Sequence, residues 1–313
     1  MPGTIAERDK PRPPMDNRQS RAIDLREILK ALESRSRLRL SGGITLAGEL
    51  LFYDAGNGVI STARIDPEGA FHALSRGKVN REWTHIVPTN GMLLFYRADT
   101  GAISTARIDA DGVFHALADG KVNFDWTHIV PTNGELLFYR ADTGAISTAR
   151  IDADGVFHAL KTGNLTPEWT HIVPTNGELL FYRADTGAIS TTRIDADGVI
   201  HGLKQGAVLR SWTRIVPTNK VLLFYRADNG AIATARIDAD GVFHGLKEGA
   251  VNRDWTHLVP TNGELLFYRA DNGAISTTRI DADGAFLGLK DGNLAPAWKL
   301  ITGDRGGTSV TSH

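Results

Sequence analysis

The sequence predicts an all-β protein, a six-bladed β-propeller built from four-stranded antiparallel blades. Two regularities predict this fold. Tryptophan recurs every 43 residues, at Trp83, Trp126, Trp169, Trp212, Trp255 and Trp298. A Phe-Tyr dipeptide keeps the same spacing, with its phenylalanines at Phe52, Phe95, Phe138, Phe181, Phe224 and Phe267. A constant period of this length indicates a repeat architecture in which one unit is copied along the chain.

Each repeat divides into four short segments separated by turns that end in glycine. In the copy that starts at Trp83, the turns are Thr89–Gly91, Asp99–Gly101 and Ala110–Gly112. The segments between them are rich in Ile, Val, Phe, Tyr, Thr and Leu, the residues that strands favour. Four antiparallel strands in a repeat of this length are typical of a propeller blade.

The turns also predict which residues face each other across the strands. If each turn is a three-residue hairpin loop, Trp83 lies opposite Arg97 and His85 lies opposite Phe95. The same counting places Arg107 opposite His115. Because facing residues share one face of a sheet, we expect Trp, Arg and His side chains together on one face of the blade.

The ring has two candidate closing strands. The first-strand position occurs seven times, at Leu40 and at the six tryptophans. We favour the strand that follows Trp298, because Gly42 and Gly43 make a weak strand interior. Pairing the two ends of the propeller would also remove an open sheet edge.

The regions outside the repeats are short. Residues 1–36 form an N-terminal extension with a predicted amphipathic helix at about 20–33, residues 37–302 form the propeller, and residues 303–313 are predicted to be a disordered tail. The first residues are charged and proline-rich, so we expect no signal peptide, and either a cytoplasmic protein or one released by a non-classical route.

Composition excludes several classes of protein. The 35 basic and 36 acidic residues give a net charge of −1, so a nucleic-acid partner is not expected. Cysteine is absent, which excludes disulfides and zinc thiolate sites. No run of 18 apolar residues occurs, so no membrane span is expected. We expect no cofactor.

The candidate ligand-binding residues are the repeated tryptophans and the arginines that follow them. An indole face beside a guanidinium can stack on a sugar ring and donate hydrogen bonds to its hydroxyls, and the alternative is a structural cation–π pair. The predicted positions are Trp83, Arg97, Trp126, Arg140, Trp169, Arg183, Trp212, Arg226, Trp255, Arg269 and Trp298.

Other repeated polar residues are interpreted as structural. Arginines at Arg107 and its equivalents face a column of histidines, for which a hydrogen-bond network is expected. The Asp-Ala-Asp-Gly turn lacks the later ligands of a calcium loop. The inner histidine column supplies one histidine per blade, too few for a tetrahedral metal site. We therefore predict neither a metal site nor an enzyme, since repeated groups around a ring do not converge on one reacting atom.

The repeat Trp-Thr-His-Ile-Val-Pro-Thr-Asn-Gly-Glu-Leu-Leu-Phe-Tyr-Arg-Ala-Asp-Thr-Gly resembles those of bacterial β-propeller lectins. It is similar to the tachylectin type and, more loosely, to six-bladed fucose-binding lectins. The resemblance implies sugar sites between adjacent blades, with an aromatic platform and an arginine in each. Those roles would fall on the Trp and Arg positions given above. The first copy departs from this pattern, with Asp54 at the arginine position.

These observations lead to three functional hypotheses. The first is a multivalent carbohydrate-binding protein whose partners are glycans, since several weak sites on one rigid ring raise avidity. The second is a non-enzymatic scaffold that recruits a partner, or a second copy, through the helix at 20–33. The third is a propeller enzyme that works in the central channel.

Overall fold

The computed structural model describes residues 49–303, except residues 110, 133, 176, 219, 220, 262 and 297. The predicted N-terminal extension, its helix at 20–33 and residues 304–313 of the tail lie outside the described residues. The described chain forms six four-stranded antiparallel sheets and contains no helix. The predicted six-bladed β-propeller is confirmed. Within the described residues, no helix has the length and apolar character needed to cross a membrane.

The blades are numbered along the chain. Blade 1 contains β24, β1, β2 and β3, and each later blade contains four consecutive strands. The strands are β1 (Glu49–Asp54), β2 (Val59–Ile65), β3 (Phe71–Lys78), β4 (His85–Thr89), β5 (Met92–Tyr96), β6 (Ala102–Ile108), β7 (Phe114–Lys121), β8 (His128–Pro131), β9 (Glu135–Tyr139), β10 (Ala145–Ile151), β11 (Phe157–Asn164), β12 (His171–Thr175), β13 (Glu178–Tyr182), β14 (Ala188–Ile194), β15 (Ile200–Ala207), β16 (Arg214–Pro217), β17 (Leu222–Tyr225), β18 (Ala231–Ile237), β19 (Phe243–Ala250), β20 (His257–Thr261), β21 (Glu264–Tyr268), β22 (Ala274–Ile280), β23 (Phe286–Asn293) and β24 (Leu300–Gly303).

The ring closes through its C-terminal strand, as predicted. Strand β24 pairs antiparallel with β1, so that Phe52 faces Ile301 and Tyr53 faces Leu300. Blade 1 therefore combines one strand from the end of the propeller with three from its beginning. This arrangement removes the open inner edge that β1 would otherwise have.

The predicted strand register is wrong by one residue in the inner half of the blade. His85 faces Tyr96, and Phe95 faces Ser104. Two turns cause the shift. The first has only Asn90 and Gly91 between the paired residues, both with positive φ, as two-residue type I′ hairpins require. The second runs from Arg97 to Ala102 and is one residue longer than expected, with Gly101 N–H donating to the Arg97 carbonyl.

The shift moves the side chains of β5 to the other face relative to those of β4 and β6. Phe95 lies on the face opposite His85, where it packs against Trp83 with ring centroids 5.7 Å apart. In the outer half of the blade, Arg107 does face His115 as predicted. A register shift within β6 and β7 separates the two halves.

The apolar core lies between blades. Trp83, Phe95 and Ile108 of blade 2 pack against Leu51 and Tyr53 of blade 1, and all five are buried. Equivalent clusters join the other neighbouring blades. Each blade therefore depends on its neighbour to cover its apolar face, as expected of repeat proteins.

A second seam lies at the outer half of the blades. The buried Thr62 hydroxyl donates to the carbonyl of Gly112, which belongs to the Asp-rich turn of the next blade, at 3.1 Å. The same bond recurs at every joint, including Thr277 to Gly69 across the closure. These turns are thus held against the preceding blade.

Candidate functional site

The Trp–Arg positions come together in three blades. The guanidinium of Arg140 lies 5.7 Å from the ring centre of Trp126, and Arg226 and Arg269 stack in the same way on their tryptophans. Arg140 also donates to the Phe124 carbonyl at 2.6 Å. The guanidinium therefore both covers the indole and ties the connection between blades, in the manner of a structural cation–π pair.

The other two arginines pair with acids instead. Arg97 forms ion pairs with Glu82 at 2.7 Å and Asp99 at 3.1 Å, and Arg183 pairs with Glu168. Four of the indoles are only 5–7% exposed, namely Trp83, Trp126, Trp212 and Trp255. Little of each ring is open for stacking on a ligand. The role of the Trp and Arg positions in ligand binding stays a prediction.

Two clefts reach these tryptophans from the outer strands. In blade 5, a cleft of about 370 Å³ is lined by Trp212, Phe224, Phe243, Lys247 and Glu248, among others. In blade 6, the repeat-equivalent residues line a cleft of about 430 Å³. Each has an aromatic floor with a lysine and a carboxylate among its lining residues, a composition suited to a small molecule.

The innermost strands carry a belt of histidines that links blade to blade, of which His85 and His257 are buried and His128 and His171 partly exposed. The Nε2 of His85 contacts the Thr127 carbonyl at 3.2 Å, and Nδ1 contacts the Thr84 hydroxyl at 2.9 Å. His128, His171 and His257 repeat the arrangement, and Arg214 replaces histidine in blade 5. Burial lowers the pKa of His85 and of His171 to about 4, so these imidazoles are neutral near pH 7.

Five blades carry an Asp–His pair on the outer half of the blade. Asp66 pairs with His72, and the His Nε2 to Asp Oδ2 distances are 2.7 or 2.8 Å in all five blades. The other members are Asp109–His115, Asp152–His158, Asp195–His201 and Asp238–His244. The sixth blade has Asp281 but carries Leu287 in place of histidine.

The turn holds the carboxylate of each pair in position. The Oδ1 of Asp109 accepts hydrogen bonds from the backbone N–H groups of Asp111 and Val113, while Oδ2 faces His115. The hydrogen bond from His115, helped by the one from Val113, lowers the pKa of the Asp109 carboxyl below its ordinary value. The aspartate is therefore ionised near neutral pH and can stabilise an imidazolium that forms beside it.

On the neighbouring strand, an arginine lies directly opposite each histidine. Arg64 faces His72 and Arg107 faces His115, so the two side chains leave the same face of the sheet. One nitrogen of the Arg107 guanidinium donates to the Ala153 carbonyl in the next blade at 3.1 Å. Each of the five sites thus combines a carboxylate, an imidazole and a guanidinium.

Sequence reasoning missed the Asp–His pairs. It placed His115 opposite Arg107, which is correct, but expected the polar network to join those two residues. The histidine instead reaches around the hairpin to the aspartate six residues earlier. That constant spacing, present in five copies, was the available signal. Among the described residues, no group of three or more His, Cys, Asp or Glu side chains could hold a metal ion.

No family model matches the chain, and no curated protein matches it. Solved propeller structures do match the chain. One is a candidate 6-phosphogluconolactonase from Bacteroides fragilis, with 17% identity and a TM-score of 0.55, covering 80% of this chain and 83% of its own. A second candidate 6-phosphogluconolactonase, from Bacteroides uniformis, has 14% identity and a TM-score of 0.57, with 81% and 98% covered.

A third match is the periplasmic gluconolactonase PpgL of Pseudomonas aeruginosa. It has 12% identity and a TM-score of 0.51, with 80% of this chain and 83% of that chain covered. Likenesses at this level of identity show the fold alone. They support the β-propeller part of the resemblance drawn from sequence.

The same comparisons contradict two predictions, that the chain is a carbohydrate-binding lectin with glycan partners and that it is not an enzyme. The three propellers described above are named as lactonases and not as lectins. The repeat pattern predicts no convergence of chemically different groups. The structure shows one, because each Asp–His pair brings a carboxylate and an imidazole into contact beside an arginine. Both predictions are therefore corrected, and what the comparisons and the geometry together establish is a six-bladed β-propeller.

Proposed function

We propose that the protein is a hydrolase that opens a lactone, and that its Asp–His pairs activate the attacking water. The observation that carries the proposal is the Asp–His contact of 2.7–2.8 Å, repeated in five blades with an arginine across the strand. A carboxylate, an imidazole and a guanidinium are the three groups that hydrolysis of an ester needs as orienter, base and oxyanion partner.

The hydrogen bond to the carboxylate selects one tautomer of the imidazole. An ionised aspartate only accepts, so the Nε2 of His115 must carry the hydrogen that points at Asp109. The neutral ring then has its lone pair on Nδ1. Among the described residues, no hydrogen-bond partner contacts that nitrogen, and the His115 side chain is 56% exposed. Nδ1 is therefore available to a water molecule.

The chemical step needs no further reactant. Nδ1 takes a proton from water as the water oxygen attacks the carbonyl carbon of the lactone. The aspartate stabilises the imidazolium that forms, and the guanidinium across the strand stabilises the oxyanion. The intermediate then collapses, the ring C–O bond breaks, and the imidazolium returns its proton to the leaving alkoxide. Lactone and water become one hydroxy acid.

The names of the structural neighbours support this class of reaction. Two are candidate 6-phosphogluconolactonases and one is a gluconolactonase. Their names bear on the reaction type, and the identity of the residues proposed here rests on the geometry of this chain.

The proposal is tested by replacing all five histidines with glutamine, at His72, His115, His158, His201 and His244. Proton release from five- and six-membered lactones would be followed at constant pH, with the spontaneous rate subtracted. We expect the enzymatic rate to fall by roughly 10²- to 10⁴-fold, the usual contribution of a general base. These side chains are exposed, so the melting temperature should change little.

The matched control is Asp281→Asn. Blade 6 has the same turn but no histidine, so this change should leave the rate unaltered. Asp109→Asn, made together with its four equivalents, should lower the rate, because an amide presents the wrong partner to the imidazole. The proposal would be refuted if the wild-type protein had no activity on any lactone. Full activity in the variant that replaces all five histidines would refute it as well.

A further inference from the structure

The five Asp–His sites are not equivalent, because the residue that faces the arginine from the neighbouring inner strand differs. That residue is glutamate in three of the five sites, at Glu49, Glu135 and Glu178, and also in blade 6, at Glu264. Glu135 faces Arg150 and Glu264 faces Arg279 directly in the sheet register. The repeat-equivalent residues are Met92 in blade 2 and Val221 in blade 5.

In blades 4 and 6 the glutamate engages the arginine directly. Glu264 Oε1 lies 2.5 Å from Arg279, and Glu178 Oε1 lies 3.4 Å from Arg193. Both carboxylates have only 6% of their side chain exposed, whereas the guanidiniums are 41–47% exposed. Burial raises the pKa of the Glu178 carboxyl, and the nearby Arg193 opposes that rise. The buried carboxylate needs the arginine, so separating the two is costly.

In blades 2 and 5 the arginine has no such partner. Met92 and Val221 are apolar and buried. Among the described residues, neither Arg107 nor Arg236 forms an ion pair with a carboxylate. Within the same described part of the chain, Arg64 and Arg150 form none either, but each has a glutamate facing it across the strands, Glu49 and Glu135. The bond from Arg107 to the Ala153 carbonyl orients the guanidinium without neutralising it. The nearby Asp109 is occupied by His115 and by backbone N–H groups.

We propose that Arg107 and Arg236 are anion-recognising residues, and that blades 2 and 5 carry the two sites that prefer a negatively charged substrate. An uncommitted guanidinium binds a carboxylate or phosphate through charge-assisted hydrogen bonds. In blade 4 the same arginine must first leave a buried glutamate. This inference rests on the proposed lactone hydrolysis for its catalytic meaning, while the anion sites themselves are defined by geometry.

The first experiment counts anion sites without any reaction. Binding of inorganic phosphate would be measured by titration calorimetry on the full chain. We expect two sites per chain in the wild type, none in the Met92→Glu/Val221→Glu variant, and one more than the wild type in Glu178→Met. Arg107→Gln/Arg236→Gln should also abolish phosphate binding. This variant replaces Met92→Glu/Val221→Glu in the experiment if the added glutamates prevent folding.

The second experiment compares a neutral lactone with one that bears a carboxylate on its ring. For Met92→Glu/Val221→Glu, kcat/KM for the anionic lactone should fall by roughly ten- to hundred-fold, mainly through KM, the loss expected for hydrogen bonds to a charged group. The value for the neutral lactone should fall by less than half, because the added glutamates occupy the guanidinium at only two of the five proposed sites. Phosphate should inhibit hydrolysis of the anionic lactone competitively in the wild type.

The outcomes separate the two proposals. If the wild type hydrolyses neither lactone but binds two phosphates that the double glutamate variant loses, the hydrolase proposal fails and the anion sites stand. If the wild type is active but phosphate binding is absent, or is unaffected by Met92→Glu/Val221→Glu, the inference about blades 2 and 5 is wrong. Equal losses for both lactones in that variant would overturn it as well.

Discussion

The backbone N–H of Trp126 donates a hydrogen bond to the hydroxyl of Tyr96, at 3.0 Å, across the joint between blades 2 and 3. The same hydroxyl donates to the Asn123 carbonyl in the connecting segment. Every joint repeats this pair of bonds, including the one from Trp298 to Tyr268 that closes the ring. The tyrosine therefore fixes where each new blade starts.

Tyr96→Phe should destabilise the propeller. The substitution keeps the ring but leaves the Trp126 N–H and the Asn123 carbonyl without their partner, at a cost of about 1–3 kcal/mol. Chemical unfolding followed by tryptophan fluorescence would measure the loss. Tyr268→Phe should behave alike, because the closing joint has the same bonds. Unchanged stability in both variants would mean that these bonds do not hold the joints.

Gly112→Ala should weaken the outer seam. Gly112 has φ of +79°, and a Cβ there would lie 2.4 Å from the Thr62 hydroxyl oxygen of the preceding blade. The alanine would therefore be strained both by the positive φ and by the short contact with Thr62. Together these destabilise the protein by roughly 1–3 kcal/mol or more. Gly202→Ala is the control, since a Cβ at Gly202 meets nothing within 4 Å. Equal melting temperatures for the two variants would contradict the seam.

Stability should fall on acidification between about pH 6.5 and pH 4. His85 and His171 have folded-state pKa values lowered to about 4 by burial, against 6.5 for the unfolded chain. In that window the unfolded state binds more protons, so stability rises with pH and is lost as the pH falls. The loss attributable to these histidines is complete below about pH 4. The paired aspartates act at lower pH, where their protonation removes stability.

The measurement is the free energy of unfolding at pH 7.5 and pH 4.5. His85→Gln should lower stability at pH 7.5 but reduce the dependence on pH, because glutamine does not titrate. Each pKa unit by which a group differs between the folded and the unfolded chain changes the free energy of unfolding by about 1.4 kcal/mol. A variant with the full pH dependence of the wild type would show that the inner histidines do not cause it.

Leu287→His should create a sixth Asp–His pair. Blade 6 already has Asp281 in the same turn, whose Oδ1 accepts from the Asp283 and Ala285 N–H groups. Leu287 is 57% exposed, so the substitution should not disturb the core. If distant sites act independently, hydrolysis of a neutral lactone should rise by about a fifth. Leu287→Gln supplies the control, and equal rates for the two would contradict the proposed base.

The repeat period and the glycine-ending turns were sufficient to predict the blades, their number and the closing role of the strand after Trp298. These features follow from chain-local signals that recur six times. The hairpin register was not predictable in the same way. Two turns that look alike in sequence enclose different numbers of residues, and one residue of difference moved Phe95 away from His85 to the face of Trp83.

The repeated sequence was thus enough to specify a ring of six like blades, because strand patterning and turn residues act locally. The arrangement of polar groups required the folded ring. The pairing of Asp109 with His115 depends on how a hairpin turn folds back, and the freedom of Arg107 depends on whether the adjacent inner strand supplies Glu or Met92. Such contacts arise from side chains that meet only after the strands are aligned, and one residue of register decides which ones meet.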